Sequence, residues 1–142
     1  MAHCYDWPRP AVTTDIAVFA MRDGQLSILL IRRKGAPFAG DWALPGGFLD
    51  EDETLEACAA RELREEAGLE AADLMLFGTY SEPGRDPRGR TVSVAFLTRV
   101  DAEKVEPRAG DDAAEVGWFA CAALPVLAFD HDRIISEAIA AL

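Results

Sequence analysis

The sequence predicts an α/β protein in which a β-sheet is covered by helices on both faces. Ile28-Leu29-Leu30-Ile31 is apolar at every position, which a strand needs only when both of its faces are buried. Residues 54–67 and 130–142 read as amphipathic helices, the second turning Ile134, Ile135, Ala138 and Ile139 inward. Five stretches of strand character lie on either side of the first helix in the chain, so both element types belong to one layered core.

Taken in order, residues 1–11 are a proline-interrupted extended arm carrying Tyr5 and Trp7. Residues 13–21 and 26–33 read as strands joined through Arg22-Asp23-Gly24-Gln25, a strong hairpin-turn signal. Residues 34–43 read as a loop, and Leu44-Pro45-Gly46-Gly47-Phe48 as the lead into the first helix. Asp52 or Thr54 can cap that helix, and Gly68 supplies a left-handed stop, so its end is expected at Ala67. Residues 74–80 and 91–100 read as strands flanking the polar loop 81–90, and 115–119 as a short strand after an acidic loop. With 142 residues the chain is long enough for one domain, 1–142, with a real core.

Composition narrows the function. Half of the residues are hydrophobic, which excludes a disordered chain. A balance of 14 Lys+Arg against 25 Asp+Glu, net −11, argues against a nucleic-acid partner, which needs a basic footprint. An anionic substrate would then have to be met by metal ions and a few placed arginines. Cys4, Cys58 and Cys121 are too few and too dispersed for a disulfide framework or a zinc knuckle. No apolar run approaches a membrane span and the N-terminus lacks a signal-peptide core, so no membrane partner and a cytoplasmic location are expected.

The carboxylates at the end of the first helix oppose local physics. Glu62 and Glu66 are a like-charged i, i+4 pair with Glu65 beside them, in the turns where the helix dipole disfavours acids by about 0.3–1 kcal/mol each. A solvated face laced with ion pairs through Arg61 and Arg64 would account for some of this. However, Glu62 and Glu66 fall within the inward stripe of Leu55, Cys58, Ala59 and Leu63. Acids on that side are expensive unless paired or metal-bound, and oxygen ligands without nearby His or Cys favour Mg²⁺ or Mn²⁺.

Gly47, Glu53 and the run Arg61-Glu62-Leu63-Arg64-Glu65-Glu66-Ala67-Gly68-Leu69 match every fixed position of the pattern G-x5-E-x7-R-E-U-x-E-E-x-G-U. On these residues the chain resembles the Nudix hydrolase family. The resemblance implies an α/β/α sandwich with a mixed sheet and a loop–helix–loop carrying the metal ligands. It also implies hydrolysis of a nucleoside diphosphate linked to another moiety, with Mg²⁺ or Mn²⁺ held by Glu62, Glu65, Glu66 and the Gly46 carbonyl. Glu53 and Arg61 are expected to brace the loop against the helix. Glu65, or a loop acid such as Glu115, would act as general base; Asp111 and Asp112 share that acidic loop. Acids at 50–52, where many family members carry a glycine before the glutamate, leave the loop conformation open but not the chemistry.

The loop Pro83-Gly84-Arg85-Asp86-Pro87-Arg88-Gly89-Arg90 could be an ordinary solvated turn, yet it concentrates three arginines in an acidic chain. With residues 91–97, 37–48 and 124–131 it resembles the ADP-ribose pyrophosphatase branch. Arg85, Arg90 and Asp86 are therefore the candidate substrate contacts, and ADP-ribose, cut to AMP and ribose 5-phosphate, the expected substrate. One alternative is a hydrolase of damaged nucleoside triphosphates or other dinucleotides. Another is a non-catalytic ADP-ribose sensor, set against by the complete carboxylate set and by the expectation that no DNA-binding domain follows Leu142. The Tyr5–Trp7 arm would stack on adenine or form a homodimer contact. His131 reads as a helix-start hydrogen-bonding residue.

Overall fold

The computed structural model describes residues 2–71, 73–110 and 112–142. Its strands are β1 (Ala11–Arg22), β2 (Gln25–Arg33), β3 (Trp42–Ala43), β4 (Gly46–Phe48), β5 (Met75–Tyr80), β6 (Thr91–Arg99) and β7 (Ala113–Ala120). The helices are α1 (Leu55–Ala67) and α2 (His131–Ala141). All the strands join one sheet along the path β3-β2-β1-β6-β5, with β4 on β1 and β7 on β2. It is mixed: β1 and β6 run parallel, and the other pairs are antiparallel. The β1–β2 turn puts Asp23 at φ 52 and Gly24 at φ 76, the two left-handed residues of the tight hairpin that Asp-Gly favours.

Alternation along the strands divides the core in two. Ala17 and Phe19 of β1, with Ile28 and Leu30 of β2, pack on Ile134, Ile135 and Ala138 of α2. Ile16 and Val18, with Leu29, pack on Ala59, Leu63 and Ala67 of α1. The apolar run at 28–31 is thus explained by a helix on each side of the sheet. No helix among the described residues is long and apolar enough to cross a membrane.

Three elements differ from expectation. The segment read as a loop ends in β3, where Trp42 and Ala43 pair with Arg32 and Ile31, a strand too short to show any periodicity. The lead into α1 contains β4, which pairs Gly46, Gly47 and Phe48 with Asp15, Thr14 and Thr13. Its glycines carry no strand propensity, so pairing alone makes it a strand. β7 begins at Ala113 and not at 115, because β2 supplies a partner to residues with little β preference of their own.

The same pairings open the cavity. β1 pairs with β2 only from Phe19 and Ile28 to the turn. Beyond that the two strands part, and β4 and β3 occupy the freed edges. Asp15, Ile31, Ala43 and Gly46, one from each of these four strands, line a single cavity at the divergence.

Candidate active site

α1 delivers the acids. Thr54 caps it, its hydroxyl accepting the Ala57 N–H at 3.1 Å, and Gly68 at φ 69 ends it. Cys58, Ala59, Leu63 and Ala67 face the sheet, and Glu62 shares that buried side. Glu66 is partly buried and Glu65 exposed. The last carbonyls are met from outside the helix: Arg108 N donates to Ala67 O at 2.8 Å and Gly110 N to Glu66 O at 3.1 Å.

Arg61 is the tie of the acidic cluster. Its Nε and Nη2 donate to the two Glu53 oxygens at 3.0 and 2.7 Å. Nη1 reaches Glu62 at 2.8 Å and Glu65 at 3.1 Å, and Nη2 reaches the Phe48 carbonyl at 3.0 Å. The Glu53 carboxyl is held down to about 2, first by the Arg61 hydrogen bond and then by the Asp50 N–H. Such a group stabilises the native state above its ordinary range, and that contribution is lost as pH falls from about 4.5 towards 2. The melting temperature should therefore decline across this window, and Arg61→Ala should flatten the decline. An identical acid limb in the variant would contradict the pairing.

Glu66 is placed in the opposite sense. Its Oε2 accepts the Gly46 N–H at 3.0 Å, yet burial, with Glu62, Asp15 and Asp112 nearby, pushes its carboxyl up to about 8. Burial also raises Glu62, against the pull of Arg61. Gly47 lets the loop close onto this cluster, since a Cβ there would lie only 2.5 Å from the Glu62 carboxylate.

Arg61, Glu62, Glu66 and the two glycines share an open cavity of about 620 Å³, whereas Glu53 and Glu65 lie outside its lining. Asp50, Glu62, Glu66 and Asp112, with Gly46, Gly47 and Arg61 among them, line its acidic side, and Arg33, Arg85, Arg88, Phe129 and His131, with Asp86 between the arginines, its cationic and aromatic side. Among the described residues no three acidic, His or Cys side chains converge in a ready-made cage, since Glu62 and Glu65 turn to Arg61. The donor set is nevertheless all oxygen, partly buried and short of positive charge at Glu66, which fits a hard divalent cation.

Several residues singled out from sequence sit elsewhere or are already engaged. Glu115 lies outside the cavity lining, opposite Arg32 on the neighbouring strand, with which it forms an exposed 3.7 Å ion pair. Asp112 lines the cavity instead, and Asp111 lies outside the described residues. Arg90 also lies outside the lining and donates to the Ser81 carbonyl at 2.7 Å. Arg85 is in the wall but is held by both Asp130 oxygens, at 2.9 and 2.6 Å. Asp86 is buried against Arg88, accepting its backbone N–H and two guanidinium nitrogens.

Arg33 and Asp15 in the cavity were not anticipated, and His131 was expected only as a hydrogen-bonding residue at the helix start. Arg33 donates from Nε to the Pro37 carbonyl at 2.7 Å and has no ion pair among the described residues. Two-residue alternation from buried Ile31 was the available signal for it, as both line the cavity. Asp15 is a buried charge within an apolar strand, a visible anomaly, and its Oδ2 accepts the Ser93 hydroxyl. His131 Nε2 lies 3.4 Å from Asp15 Oδ1, while Nδ1 accepts the Leu44 N–H at 3.0 Å. Burial holds this imidazole below its usual range despite the nearby Asp15 and Asp130.

Comparison with known proteins agrees with this fold. The chain is 46% identical over 122 residues to the ADP-ribose pyrophosphatase of Methanocaldococcus jannaschii, covering 86% of this chain and 71% of that protein. It is 37% identical over 141 residues to the ADPR responsive transcriptional repressor NtrR of Acinetobacter baylyi, spanning 96% of this chain but only 56% of the repressor. The NUDIX domain of Shewanella oneidensis NrtR, crystallised with ADP ribose, superposes with a TM-score of 0.89 at 32% identity, over 96% of this chain and 92% of that one. A family model for the NUDIX domain matches residues 11–142, from the first strand to the end of α2, so the chain belongs to the Nudix family as a hydrolase close to the ADP-ribose pyrophosphatases.

Proposed function

We propose that the chain hydrolyses ADP-ribose to AMP and ribose 5-phosphate with Mg²⁺ or Mn²⁺. The observation that carries this reading is one cavity uniting an acidic cluster with Arg33, a guanidinium that forms no ion pair within 4.0 Å with a described carboxylate although Glu66, Asp86 and Asp15 attract it. A diphosphate needs both: cations on the acids, and a directional donor for its oxygens. The relatives add the rest of the molecule, since one is an ADP-ribose pyrophosphatase and another an ADPR responsive repressor.

Glu62, Glu65, Glu66 and the Gly46 carbonyl would hold the divalent ions. When bound, these ions neutralise diphosphate charge and lower the pKa of the attacking water. Arg61 keeps Glu62 and Glu65 aligned while Glu53 anchors Arg61 to the loop. Asp112, which lines the cavity, is the carboxylate best placed to take the water's proton; Glu65 and Glu115 both lie outside the lining, paired with Arg61 and Arg32. Arg33 would receive the phosphate oxygens, and Arg88, whose Nε and Nη2 are held by Asp86, can add only its remaining nitrogen.

A phosphate-release panel of ADP-ribose, NADH, diadenosine polyphosphates, GDP-mannose and oxidised dGTP tests the substrate. ADP-ribose should lead by at least about tenfold in kcat/KM. A nucleoside triphosphate leading by that margin would overturn the reading. Arg33→Ala should cost about ten- to a hundredfold in kcat/KM, mainly through KM, as for a lost charge-assisted contact of about 1.5–3 kcal/mol. Arg90→Ala should cost almost nothing. Equal losses in the two variants would return the substrate contact to the 85–90 loop.

A second reading, a non-catalytic ADP-ribose sensor, is favoured by the likeness to the repressor and to the ADP ribose-bound domain. Tight ADP-ribose binding without phosphate release at saturating Mg²⁺ would establish it in place of the first.

A further inference from the structure

Three consecutive residues where α2 begins each hold a different part of the cavity wall, and the reaction outlined above uses none of them. Phe129 sits at φ 52, a conformation that L side chains rarely adopt. The Arg33 guanidinium carbon lies 5.0 Å from its ring centre and that of Arg88 5.5 Å. Phe38 and His131 pack on the same ring at 4.8 and 5.3 Å. Asp130 takes both hydrogen bonds from Arg85, whose side chain is only 4% exposed. His131 accepts the N–H of Leu44, two residues before the Gly46 whose own N–H holds Glu66.

Arg33 and Arg88 repel each other, and burial adds to the cost of charge on Arg33. An aromatic ring shared by two cations offsets part of that repulsion and fixes where both point. Glycine or asparagine would relieve the left-handed backbone at 129. A phenylalanine there, with its ring touched by two guanidinium groups, indicates that the ring itself is what this position supplies.

We infer that Phe129-Asp130-His131 is a positioning element that sets substrate affinity through the arginine wall and turnover through the Leu44–Gly46 loop. Phe129 and Asp130 orient the guanidinium groups. His131, beside Asp15 and accepting the Leu44 N–H, fixes the loop against which Glu66 is aligned. The inference rests on the proposed reaction, which assigns phosphate oxygens to the arginines and the divalent ions to the Gly46 side.

Two substitutions, each with a conservative companion, separate this role from simple packing: Phe129→Leu with Phe129→Tyr, and His131→Phe with His131→Asn. Kinetics are measured on the full chain at saturating Mg²⁺, with whichever diphosphate the parent hydrolyses fastest, alongside melting temperatures. Phe129→Leu is expected to raise KM about tenfold with kcat within about threefold, and Phe129→Tyr to restore KM. His131→Phe should lower kcat at least about tenfold with KM within about threefold. His131→Asn should recover most of that loss, because its Oδ1 stands where Nδ1 stood and can accept the Leu44 N–H.

If kcat and KM move together in both pairs and follow the melting temperature, the segment only packs and the inference falls. It falls equally if folded Phe129→Leu keeps the parental KM. Should His131→Phe fail to fold, the Phe129 pair decides alone. A parent that prefers another diphosphate overturns the substrate reading while the split stays measurable. ADP-ribose preferred without the split overturns the inference alone.

Discussion

Replacing Glu66 with glutamine is expected to leave the fold intact and to cost at least about two decades in turnover at saturating Mg²⁺. The amide matches the carboxylate in size and can still accept the Gly46 N–H through its carbonyl oxygen, so the contact between α1 and β4 survives. It loses the charge on which the proposed role of Glu66 as a ligand to a hard cation depends. Near-parental turnover with an unchanged melting temperature would remove Glu66 from the metal site and with it the core of the mechanism.

The same variant has a second signature in metal-free buffer. The Glu66 carboxyl titrates at about 8 in the folded chain and near 4.5 when unfolded. The native state therefore binds the extra proton between those values, and stability falls as pH rises from about 4.5 to 8. Glu66→Gln has no proton to lose, so its melting temperature should exceed the parent's above pH 8, with the two converging in mild acid. A parent whose metal-free stability rises over that window would show that Glu66 is not the strained carboxyl described here.

Most of the framework was legible because it rests on local chemistry. The Asp23-Gly24 turn, the doubly buried run at 28–31, the Gly68 stop and the α2 stripe each follow from backbone preference or side-chain period. β3 and β4 were not legible, since two and three residues carry no period and their strand character comes from partners far away in sequence. The acids on α1 were conspicuous because helix dipole and mutual repulsion oppose them. The cations were harder to sort. Composition reveals that arginines cluster at 85–90, but not that Asp130, Asp86 and the Ser81 carbonyl already engage them. Arg33 looked ordinary at a strand end, and only the parting of β1 from β2 turns that end into a cavity wall. His131 was legible as a hydrogen-bonding residue, but its partners, Leu44 and Asp15, come from other strands and loops.

The adjacent glycines of the loop should respond to alanine in opposite ways, and this separates fold from site most sharply. A Cβ on Gly46 would lie 2.0 Å from the Thr14 carbonyl oxygen and 2.9 Å from Asp15 Cα, both on the backbone of β1. Backbone within a paired sheet cannot step aside, so Gly46→Ala must break the β1–β4 pairing and the Glu66 hydrogen bond together. A loss of several kcal/mol is expected, in the range of severe overpacking, with turnover lost as a consequence of unfolding. The three atoms nearest to a Cβ on Gly47 all belong to the Glu62 carboxylate, at 2.5 to 2.6 Å, the far end of a flexible side chain. Glu62 can swing away while Arg61 still pairs with Glu53 and Glu65, so the fold should hold to within about 1 kcal/mol. The displaced carboxylate would then leave the cluster proposed to hold the divalent ions, and turnover should drop by about tenfold or more. Thermal melts and initial rates on the two variants decide it. If Gly47→Ala is as active as the parent, Glu62 is not held in place by the loop, and the tight closure of Gly47 onto α1 has no part in catalysis.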